Sequence, residues 1–168
     1  MYDDIFNDEQ MLQLQTLLRE RKETITCAES CTGGLVASMI TEQSGSSDIF
    51  HGSIVSYSNE VKIDELNVKK ENLENFGAVS TEVVSDMLDG VLAKFKADYA
   101  IAISGIAGPT GGTPTKPVGT VVIGISASNA YKMVKVYHFS GTRKEVQIQA
   151  AKKSLKKILN LFEKPLTK

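Results

Sequence analysis

The amino-acid sequence predicts an α/β fold, namely a three-layer α/β/α arrangement around a mostly parallel, five-stranded mixed sheet. Apolar strand-like runs alternate with runs of helical periodicity, the order typical of parallel sheets covered by helices on both faces. The run 98–104 is continuously apolar and bounded by turn residues, as in a central strand buried on both sides. Two further strand-like runs, 118–126 and 133–139, are joined by the turn-rich segment 127–130 and predict a hairpin that supplies one antiparallel strand.

The length of the chain fits one domain. A domain of about 150 residues buries roughly two-thirds of the surface that its unfolded chain exposes, so a chain of 168 residues can form a substantial core. Neither an internal repeat nor a linker interrupts the sequence. We therefore predict a single domain over residues 1–168.

The first third of the chain contains two predicted helices and two predicted strands. Leucine and methionine recur at helical spacing over 7–22, with polar residues between them, and predict an amphipathic helix that starts at an Asn or Asp cap. A strand at 24–28 leads through a turn into a helix over 33–42. A second strand is predicted over 50–58, and polar residues follow it.

The remaining elements are mostly helical, apart from the three strands already described. Asn59 is available to cap a short helix that contains Lys62. Residues 66–79 show no clear period, whereas 80–95 carry a regular apolar stripe behind a Ser or Thr cap. The last helix is predicted over 142–162, where a Thr and a Glu at capping-box spacing precede the apolar periodicity.

Charge and composition exclude several classes of partner. The net charge is −1, from 19 Lys and Arg against 20 Asp and Glu, so no strong overall field favours nucleic acid or an anionic membrane. The N-terminal residues are acidic where a secretory signal is basic and then apolar, and no apolar run is long enough to span a bilayer. We therefore expect a cytoplasmic protein that binds a small molecule.

Cysteine and histidine are too few and too scattered to predict a metal site. Cys27 and Cys31 are the only cysteines, and their spacing is neither that of a zinc site nor that of a disulfide framework. His51 and His138 are the only histidines and have no close partner in the sequence. We predict no metal, and a Ser-His-Asp triad is equally unsupported.

The junction over 24–34 is the first candidate for chemistry. An apolar run ends in Glu29, Ser30, Cys31 and Thr32, and a glycine pair then opens the helical pattern. Side chains at such a position stand beside the free N–H groups of the following helix, so Ser30 can act as a nucleophile with an oxyanion hole around Thr32, Gly33 and Gly34. Ordinary turn chemistry explains the same residues.

Tyr57 and Lys62 lie at the end of the next predicted strand. Carboxyl ends of parallel strands share one edge of a sheet, so these residues can meet Ser30. A desolvated lysine can accept the proton of a hydroxyl nucleophile, and a phenol can help to orient the groups. A tyrosine that covers the core edge and a solvated lysine are the alternative. The pair lacks the spacing and the glycine fingerprint of short-chain dehydrogenases.

The segment 105–117 is the longest run of Gly, Pro and Thr in the chain. Loops of this length inside compact domains are usually functional or disordered. Backbone N–H groups here can hold an anion, although the run lacks the fingerprints of a P-loop and of a dinucleotide site. The residues at this strand end that we expect to bind substrate are Ser104, Gly105, Thr110 and Gly111.

Five separate motifs together resemble the signature blocks of the CinA C-terminal domain family, in order and in approximate spacing. These are Thr26-Cys-Ala-Glu-Ser-Cys-Thr-Gly-Gly34, Ser53-Ile-Val-Ser-Tyr-Ser-Asn-Glu-Val-Lys62, Gly77-Ala-Val-Ser80, Ser104-Gly-Ile-Ala-Gly-Pro-Thr-Gly-Gly112 and Lys116-Pro-Val-Gly-Thr120. The resemblance implies an α/β/α homo-oligomer that deamidates nicotinamide mononucleotide to nicotinate mononucleotide and ammonia in pyridine-nucleotide salvage. It implies no cofactor, and the family's serine, tyrosine and lysine fall on Ser30, Tyr57 and Lys62.

The chain departs from the family pattern in two places. Larger members carry an additional N-terminal domain, so the chain resembles the stand-alone form. The family often reads Ser-Gly-Asp-Arg where this chain has Ser140-Gly-Thr-Arg143, which leaves the role of Thr142 open. Arg143 is retained and, at a helix N-terminus, can contact a phosphate, although a plain surface arginine fits the same pattern.

Two alternatives to this interpretation stay open. The same strand ends can form a non-catalytic nucleotide-binding module, whose sequence would look almost identical. Cys31 is adjacent to Ser30 and intrinsically more nucleophilic, but the resemblance places the nucleophile on Ser30 and successive residues in a turn need not point the same way.

Overall fold

The computed structural model describes residues 1–163, so residues 164–168 of the predicted domain lie outside the described part. Within residues 1–163 there are five strands and six α-helices, which alternate as predicted except that α4 was not predicted. In chain order they are α1 (Asp8–Arg21), β1 (Ile25–Glu29), α2 (Leu35–Thr41), a short 3-10 helix (Ser46–Asp48), β2 (Ile54–Val55), α3 (Asn59–Leu66), α4 (Lys70–Phe76), α5 (Thr81–Phe95), β3 (Tyr99–Gly105), β4 (Thr120–Ala127), β5 (Lys132–His138) and α6 (Arg143–Glu163).

The five strands form one mixed sheet in the order β2-β1-β3-β4-β5. Strand β1 pairs in parallel with both β2 and β3, whereas β3–β4 and β4–β5 are antiparallel pairs. Strand β4 therefore runs opposite to the other four, which confirms the predicted mostly parallel sheet. The chain leaves β1 toward β2 and returns on the other side of β1 to form β3, so the order reverses between β1 and β3. Ligands of open α/β sheets bind at the carboxyl ends of strands at such a point.

Helices cover both faces of the sheet. On one face, alternate strand residues such as Cys27, Ile101 and Ile123 pack with apolar residues of α1, α2 and α6. On the other face, Ala28 and Ala102 pack with residues of α3 and α5. The period of two along each strand thus separates two apolar layers, and the predicted three-layer α/β/α fold is confirmed.

Strand β2 is much shorter than the predicted run 50–58. Phe50 makes one isolated parallel bridge to Ile25, and Gly52 offers its carbonyl to the hydroxyl of Thr26 at 2.7 Å instead of to a backbone N–H. Only two residues, Ile54 and Val55, pair with β1 in register. Short edge strands are common, because a short edge offers few unpaired backbone groups to another chain.

Helices α2 and α4 also differ from the predicted pattern. Gly33 and Gly34 have φ of 60° and 102°, so they form a left-handed turn and α2 begins after them. The predicted non-periodic segment 66–79 contains α4, which has no fully buried residue. A helix without a buried face leaves no apolar period in the sequence, which is why α4 was not predicted.

The helix caps follow the residue types that the sequence offers. The Asn7 side chain accepts from the N–H of Gln10 at 2.9 Å in a capping box at the start of α1. Ser58, and not the predicted Asn59, caps α3, while Ser80 caps α5. No helix within residues 1–163 is both long and apolar enough to cross a membrane.

The N-terminus of α6 is fixed by the predicted capping box. The N–H of Thr142 donates to the Glu145 carboxylate at 2.8 Å, and the N–H of Glu145 donates to the Thr142 hydroxyl at 3.3 Å. Thr142 therefore has a structural role as a cap. The next residue, Arg143, is the first residue of α6 and lies beside the carboxyl edge of the sheet.

Candidate active site

Ser30 lies directly after β1, at the carboxyl edge of the sheet. Its N–H donates to the carbonyl of Ile103 on β3 at 2.9 Å, so the residue continues the strand pairing by one position. Its carbonyl accepts from the N–H of Gly33 at 3.0 Å, which closes the turn. Only 8% of Ser30 is exposed, and its hydroxyl is therefore held in a defined and mostly dry place.

Lys62 reaches Ser30 from α3. The Nζ atom lies 3.1 Å from the Ser30 Oγ, 2.7 Å from the carbonyl oxygen of Ser56 and 3.4 Å from the carbonyl oxygen of Tyr57. The residue is 1% exposed and is the largest side chain that is fully buried. Among residues 1–163 no carboxylate forms a salt bridge with it.

Burial lowers the pKa of Lys62, because an ammonium group that has lost its water is destabilised relative to the neutral amine. A neutral amine has two N–H groups and one lone pair. Two carbonyl oxygens stand ready for the two N–H groups, which leaves the lone pair for the hydroxyl proton of Ser30. The contact set is thus suited to a lysine that acts as a base.

Tyr57 lies at the mouth of the site. The residue is 62% exposed, and its hydroxyl accepts a hydrogen bond from the Arg143 guanidinium at 2.9 Å. The contact of Tyr57 with Lys62 is made by the backbone carbonyl. The structure therefore brings Tyr57 to the site, but it does not place the phenol within a hydrogen bond of Ser30 or Lys62 as a proton relay requires.

A cavity of about 340 Å³ opens in front of Ser30. Eight of the residues predicted from the sequence line it, and seven further residues complete the wall. The predicted ones are Ser30, Tyr57, Lys62, Ser104, Gly105, Thr110, Gly111 and Arg143, and the others are Cys31, Asn59, Ala78, Val79, Ile106, Ala107 and Gly108.

Three residues that were predicted to bind substrate lie away from the cavity wall. The Thr32 hydroxyl donates to the Glu29 carboxylate at 2.6 Å and is buried. The N–H of Gly33 is bonded within the turn, and Gly34 forms the left-handed start of α2. The structure therefore gives Thr32, Gly33 and Gly34 a part in the turn, and none of the three faces the cavity.

The glycine-rich loop after β3 forms one side of the cavity and is anchored in three places. The N–H of Gly119 donates to the carbonyl of Ile106 at 2.7 Å across the base of the loop. The Lys116 ammonium donates to the last carbonyl of α4, that of Phe76, at 2.7 Å. On the other side the Arg143 guanidinium donates to the carbonyl of Gly108 at 2.7 Å.

Cys31 also lines the cavity, but its environment keeps the thiol protonated. Burial raises its pKa to about 12, and the Glu29 carboxylate adds to the effect. Burial likewise raises the pKa of the Cys27 thiol well above its usual range. A thiol with such a pKa has very little of the thiolate that reacts, which favours Ser30 as the nucleophile.

Several residues of the site have no sequence signal of their own. Ala78 and Val79 follow the helix that lacks a period, and their place in the wall comes only from tertiary packing. Gln147 donates to the carbonyl of Cys31 at 3.0 Å. Its spacing of four residues from Arg143 places both on one face of α6, so the sequence could have predicted that Gln147 lies near the site. Within residues 1–163 no group of three His, Cys, Asp or Glu side chains can hold a metal ion.

Comparison with known proteins identifies related chains. The family model described as CinA C-terminal domain matches residues 7–162. A CinA-like protein of Thermotoga neapolitana is 46% identical over 153 residues, which are 90% of this chain and 37% of that protein. A CinA-like protein of Syntrophomonas wolfei is 49% identical over 149 residues, which are 89% of this chain and 36% of that protein. The chain thus spans somewhat more than a third of the length of these relatives.

Solved structures share the fold over nearly the whole chain. The competence/damage inducible protein CihA from Agrobacterium tumefaciens superimposes with a TM-score of 0.89 at 35% identity, covering 92% of this chain and 94% of that one. A competence-damaged protein (CinA) superfamily protein from Escherichia coli also gives a TM-score of 0.89, at 30% identity, covering 96% of this chain and 93% of that one.

Proposed function

The chain belongs to the CinA C-terminal domain family, and from this membership and the geometry of the site we propose that it hydrolyses the carboxamide of nicotinamide mononucleotide. The products are nicotinate mononucleotide and ammonia. The observation that carries the proposal is the 3.1 Å contact between the buried Lys62 Nζ and the Ser30 Oγ at the wall of the cavity.

The first half of the reaction forms an acyl-enzyme. Lys62, as the neutral amine, takes the proton of the Ser30 hydroxyl while Oγ attacks the carboxamide carbon. The C–N bond then breaks, Lys62 returns the proton to the leaving nitrogen, and ammonia departs. In the second half a water molecule attacks the ester carbon while Lys62 takes its proton. The bond between the acyl carbon and Oγ then breaks, Lys62 returns the proton to the Ser30 Oγ, and nicotinate mononucleotide leaves.

The tetrahedral intermediate carries a negative oxygen that needs hydrogen-bond donors. The N–H groups of Cys31, Ala107 and Gly108 donate to no backbone carbonyl among the described residues, and all three residues line the cavity. They are better candidates for an oxyanion hole than the predicted Thr32, Gly33 and Gly34. Preorganised N–H donors of this kind contribute about 3 to 4 kcal/mol of transition-state stabilisation each.

The rest of the cavity suits a charged mononucleotide. Arg143 and the N–H groups of the glycine-rich loop offer donors for a phosphate group. The exposed ring of Tyr57 presents an aromatic surface at the cavity mouth, where a positively charged pyridinium can lie against it. The positive ring nitrogen also withdraws electrons from the carboxamide and makes its carbon more reactive toward Ser30.

Ammonia release from nicotinamide mononucleotide by the purified protein tests the proposal. We expect release that persists in the presence of a chelator, and its loss in Ser30→Ala with no change in fold, because a turn hydroxyl contributes little to the core while a nucleophile cannot be replaced. Cys31→Ser is the matched control and should remain active. If the protein binds the mononucleotide without releasing ammonia, it is a nucleotide-binding module instead.

A further inference from the structure

Glu29 is a buried carboxylate that the proposed reaction does not use. The residue is 0% exposed, and no Lys or Arg among residues 1–163 forms a salt bridge with it. Its Oε1 accepts from the Thr32 hydroxyl at 2.6 Å and from the N–H of Val36 at 2.9 Å. Its Oε2 accepts from the N–H of Ala37 at 3.0 Å and lies 3.7 Å from the Cys27 thiol.

These contacts join the residue before Ser30 to residues after it. Glu29 immediately precedes Ser30, while its acceptor oxygens hold residues that follow Ser30 in the turn and in the first turn of α2. The N-cap residue of α2, Gly34, has no side chain to satisfy these N–H groups. The carboxylate therefore replaces the missing cap, and the dipole of the helix offsets its charge.

The backbone of Glu29 is linked to the base as well. Its carbonyl oxygen accepts from the N–H of Ser56 at 2.7 Å and from the hydroxyl of Ser56 at 3.3 Å. The carbonyl of Ser56 in turn accepts from the Lys62 Nζ at 2.7 Å. One residue is thus bonded to the turn that carries the nucleophile and to the residue that holds the base.

We propose that Glu29 is a positioning residue for the reaction, which fixes the turn 30–34 so that the Ser30 Oγ faces the Lys62 Nζ. This inference rests on the proposed function for its kinetic test. Glu29 is not part of the cavity wall, so its effect is exerted through Ser30 and not through contact with the substrate. A small displacement of a nucleophile from its base lowers the rate of the chemical step while leaving binding intact.

Glu29→Gln is the central test. The amide keeps the shape of the side chain but has only one acceptor oxygen. Its NH₂ group, which only donates, must therefore face either the N–H of Ala37 or the donors at Oε1, and those hydrogen bonds are lost. We expect kcat for nicotinamide mononucleotide to fall about tenfold or more. The reason is that misplacing a reacting group can cost up to about 100-fold in rate. KM and the Kd of nicotinate mononucleotide should each change less than about threefold, since the cavity wall is unchanged.

A control variant separates positioning from the general effect of replacing a carboxylate next to β1. Asp98 accepts from the N–H of Thr24 at 2.8 Å, next to the opposite end of β1 and far from the cavity wall. Asp98→Asn makes the same carboxylate-to-amide change beside β1 and should leave kcat and KM unchanged. A loss of kcat in Asp98→Asn equal to that in Glu29→Gln would show a general effect of weakening β1 and would overturn the inference.

A second pair of variants covers the case in which Glu29→Gln does not fold. Thr32→Val removes the 2.6 Å bond to Oε1 and keeps the size of the side chain. It should lower kcat about threefold or more with KM unchanged, and Thr32→Ser, which keeps the hydroxyl, should be faster than Thr32→Val. Full kcat in a folded Glu29→Gln, or in Thr32→Val, overturns the inference.

Labelling of Ser30 by a fluorophosphonate distinguishes failure of the inference from failure of the proposed function. The reagent reports the reactivity of the serine without any deamidation. A wild-type protein that is labelled but releases no ammonia contradicts the proposed function alone, and slower labelling of Glu29→Gln then still supports the positioning role. Labelling of Glu29→Gln at the wild-type rate, or no labelling of the wild type, overturns it.

Discussion

Lys62 is the residue whose chemistry depends most on its surroundings. On the surface a lysine at neutral pH is charged, because its usual pKa is about 10.4. Here 1% of the residue is exposed, and burial lowers its pKa. The same burial that makes the side chain costly to charge favours the neutral amine, which the proposed reaction needs in order to take the proton of Ser30.

We expect Lys62→Arg to lose activity, because a guanidinium stays protonated and cannot accept the serine proton. The loss in kcat should be about 100-fold or more, as expected when a general base is removed. The wild-type kcat/KM should rise with pH along one limb whose midpoint lies below 10.5, the ordinary value for lysine. Substantial turnover by Lys62→Arg would mean that the lysine acts as a fixed positive charge.

Lys62→Met tests the same pKa through stability. Between the lowered folded pKa and the ordinary value of 10.5, the unfolded chain binds more protons than the folded one, so the free energy of unfolding of the wild type rises with pH. Each tenfold change in the acid constant corresponds to about 1.4 kcal/mol. The advantage of Lys62→Met over the wild type should therefore be largest below the folded pKa and shrink as pH rises, as urea unfolding at several pH values can measure.

Tyr57 is predicted to act mainly through its ring. Because its hydroxyl is bonded to Arg143 and not to Ser30 or Lys62, Tyr57→Phe should retain kcat within about tenfold, less than removal of a proton-transfer group costs. Tyr57→Leu, which lacks the aromatic surface, should raise KM for the charged mononucleotide more than Tyr57→Phe does. Steady-state ammonia release measures both values. A loss of kcat in Tyr57→Phe as large as in Lys62→Arg would restore the phenol as a proton relay.

At the scale of elements, the site depends on how closely α3 approaches α5. Lys62 lies on α3, and the end of that helix crosses α5 at Gly90, where a Cβ would overlap the carbonyl oxygen of Leu66. The overlapped atom is backbone and cannot turn away. Absence of a side chain at position 90 therefore sets the distance between α3 and α5, and with it the position of Lys62.

Gly90→Ala should destabilise the protein by about 3 kcal/mol, at the upper end of the usual cost of overpacking, because the whole of α3 must shift. Urea unfolding measures the loss. The control is Asp89→Ala on the same helix, whose ion pair with Lys132 is largely exposed and whose removal should cost less than about 1 kcal/mol. A Gly90→Ala variant as stable as the control would contradict the close contact of Gly90 with the Leu66 carbonyl.

At the scale of the whole molecule, the cavity is assembled from five separate segments of the chain. Ser30 and Cys31 follow β1, Tyr57 and Lys62 come from the start of α3 and the residues before it, and the remaining wall comes from 78–79, 104–111 and Arg143. The hydrogen bond from Arg143 to Tyr57 joins residues 86 positions apart. Such a site can form only once the sheet and both helical layers are in place.

This arrangement predicts strong selectivity for the phosphorylated substrate. Nicotinamide mononucleotide should be used about 10- to 100-fold better than the riboside, as expected from charge-assisted hydrogen bonds of about 1.5 to 3 kcal/mol to the phosphate. Arg143→Gln should reduce this ratio of kcat/KM values. Equal turnover of the riboside by the wild type would remove Arg143 and the glycine-rich loop from phosphate binding.

The sequence alone determined the fold class, most of the elements and the residues that gather at one edge of the sheet. Those features follow from local signals. Apolar periodicity distinguishes helices from strands, capping residues mark where α1, α5 and α6 begin, and parallel strand ends share one edge. The expectation that Ser30 and Lys62 meet rests on the last of these rules, and the two side chains lie in contact.

Only the tertiary structure decided which partner each polar group has. Thr32 turns inward to Glu29 instead of toward the cavity, and the Tyr57 hydroxyl bonds Arg143. Strand β2 is shorter than predicted, and the Gly52 carbonyl before it bonds the Thr26 hydroxyl. A hydrogen bond depends on distances of tenths of an ångström between groups far apart in the chain. The periodicity of a sequence carries no information at that precision, because it specifies which face a residue occupies and not which atom it meets.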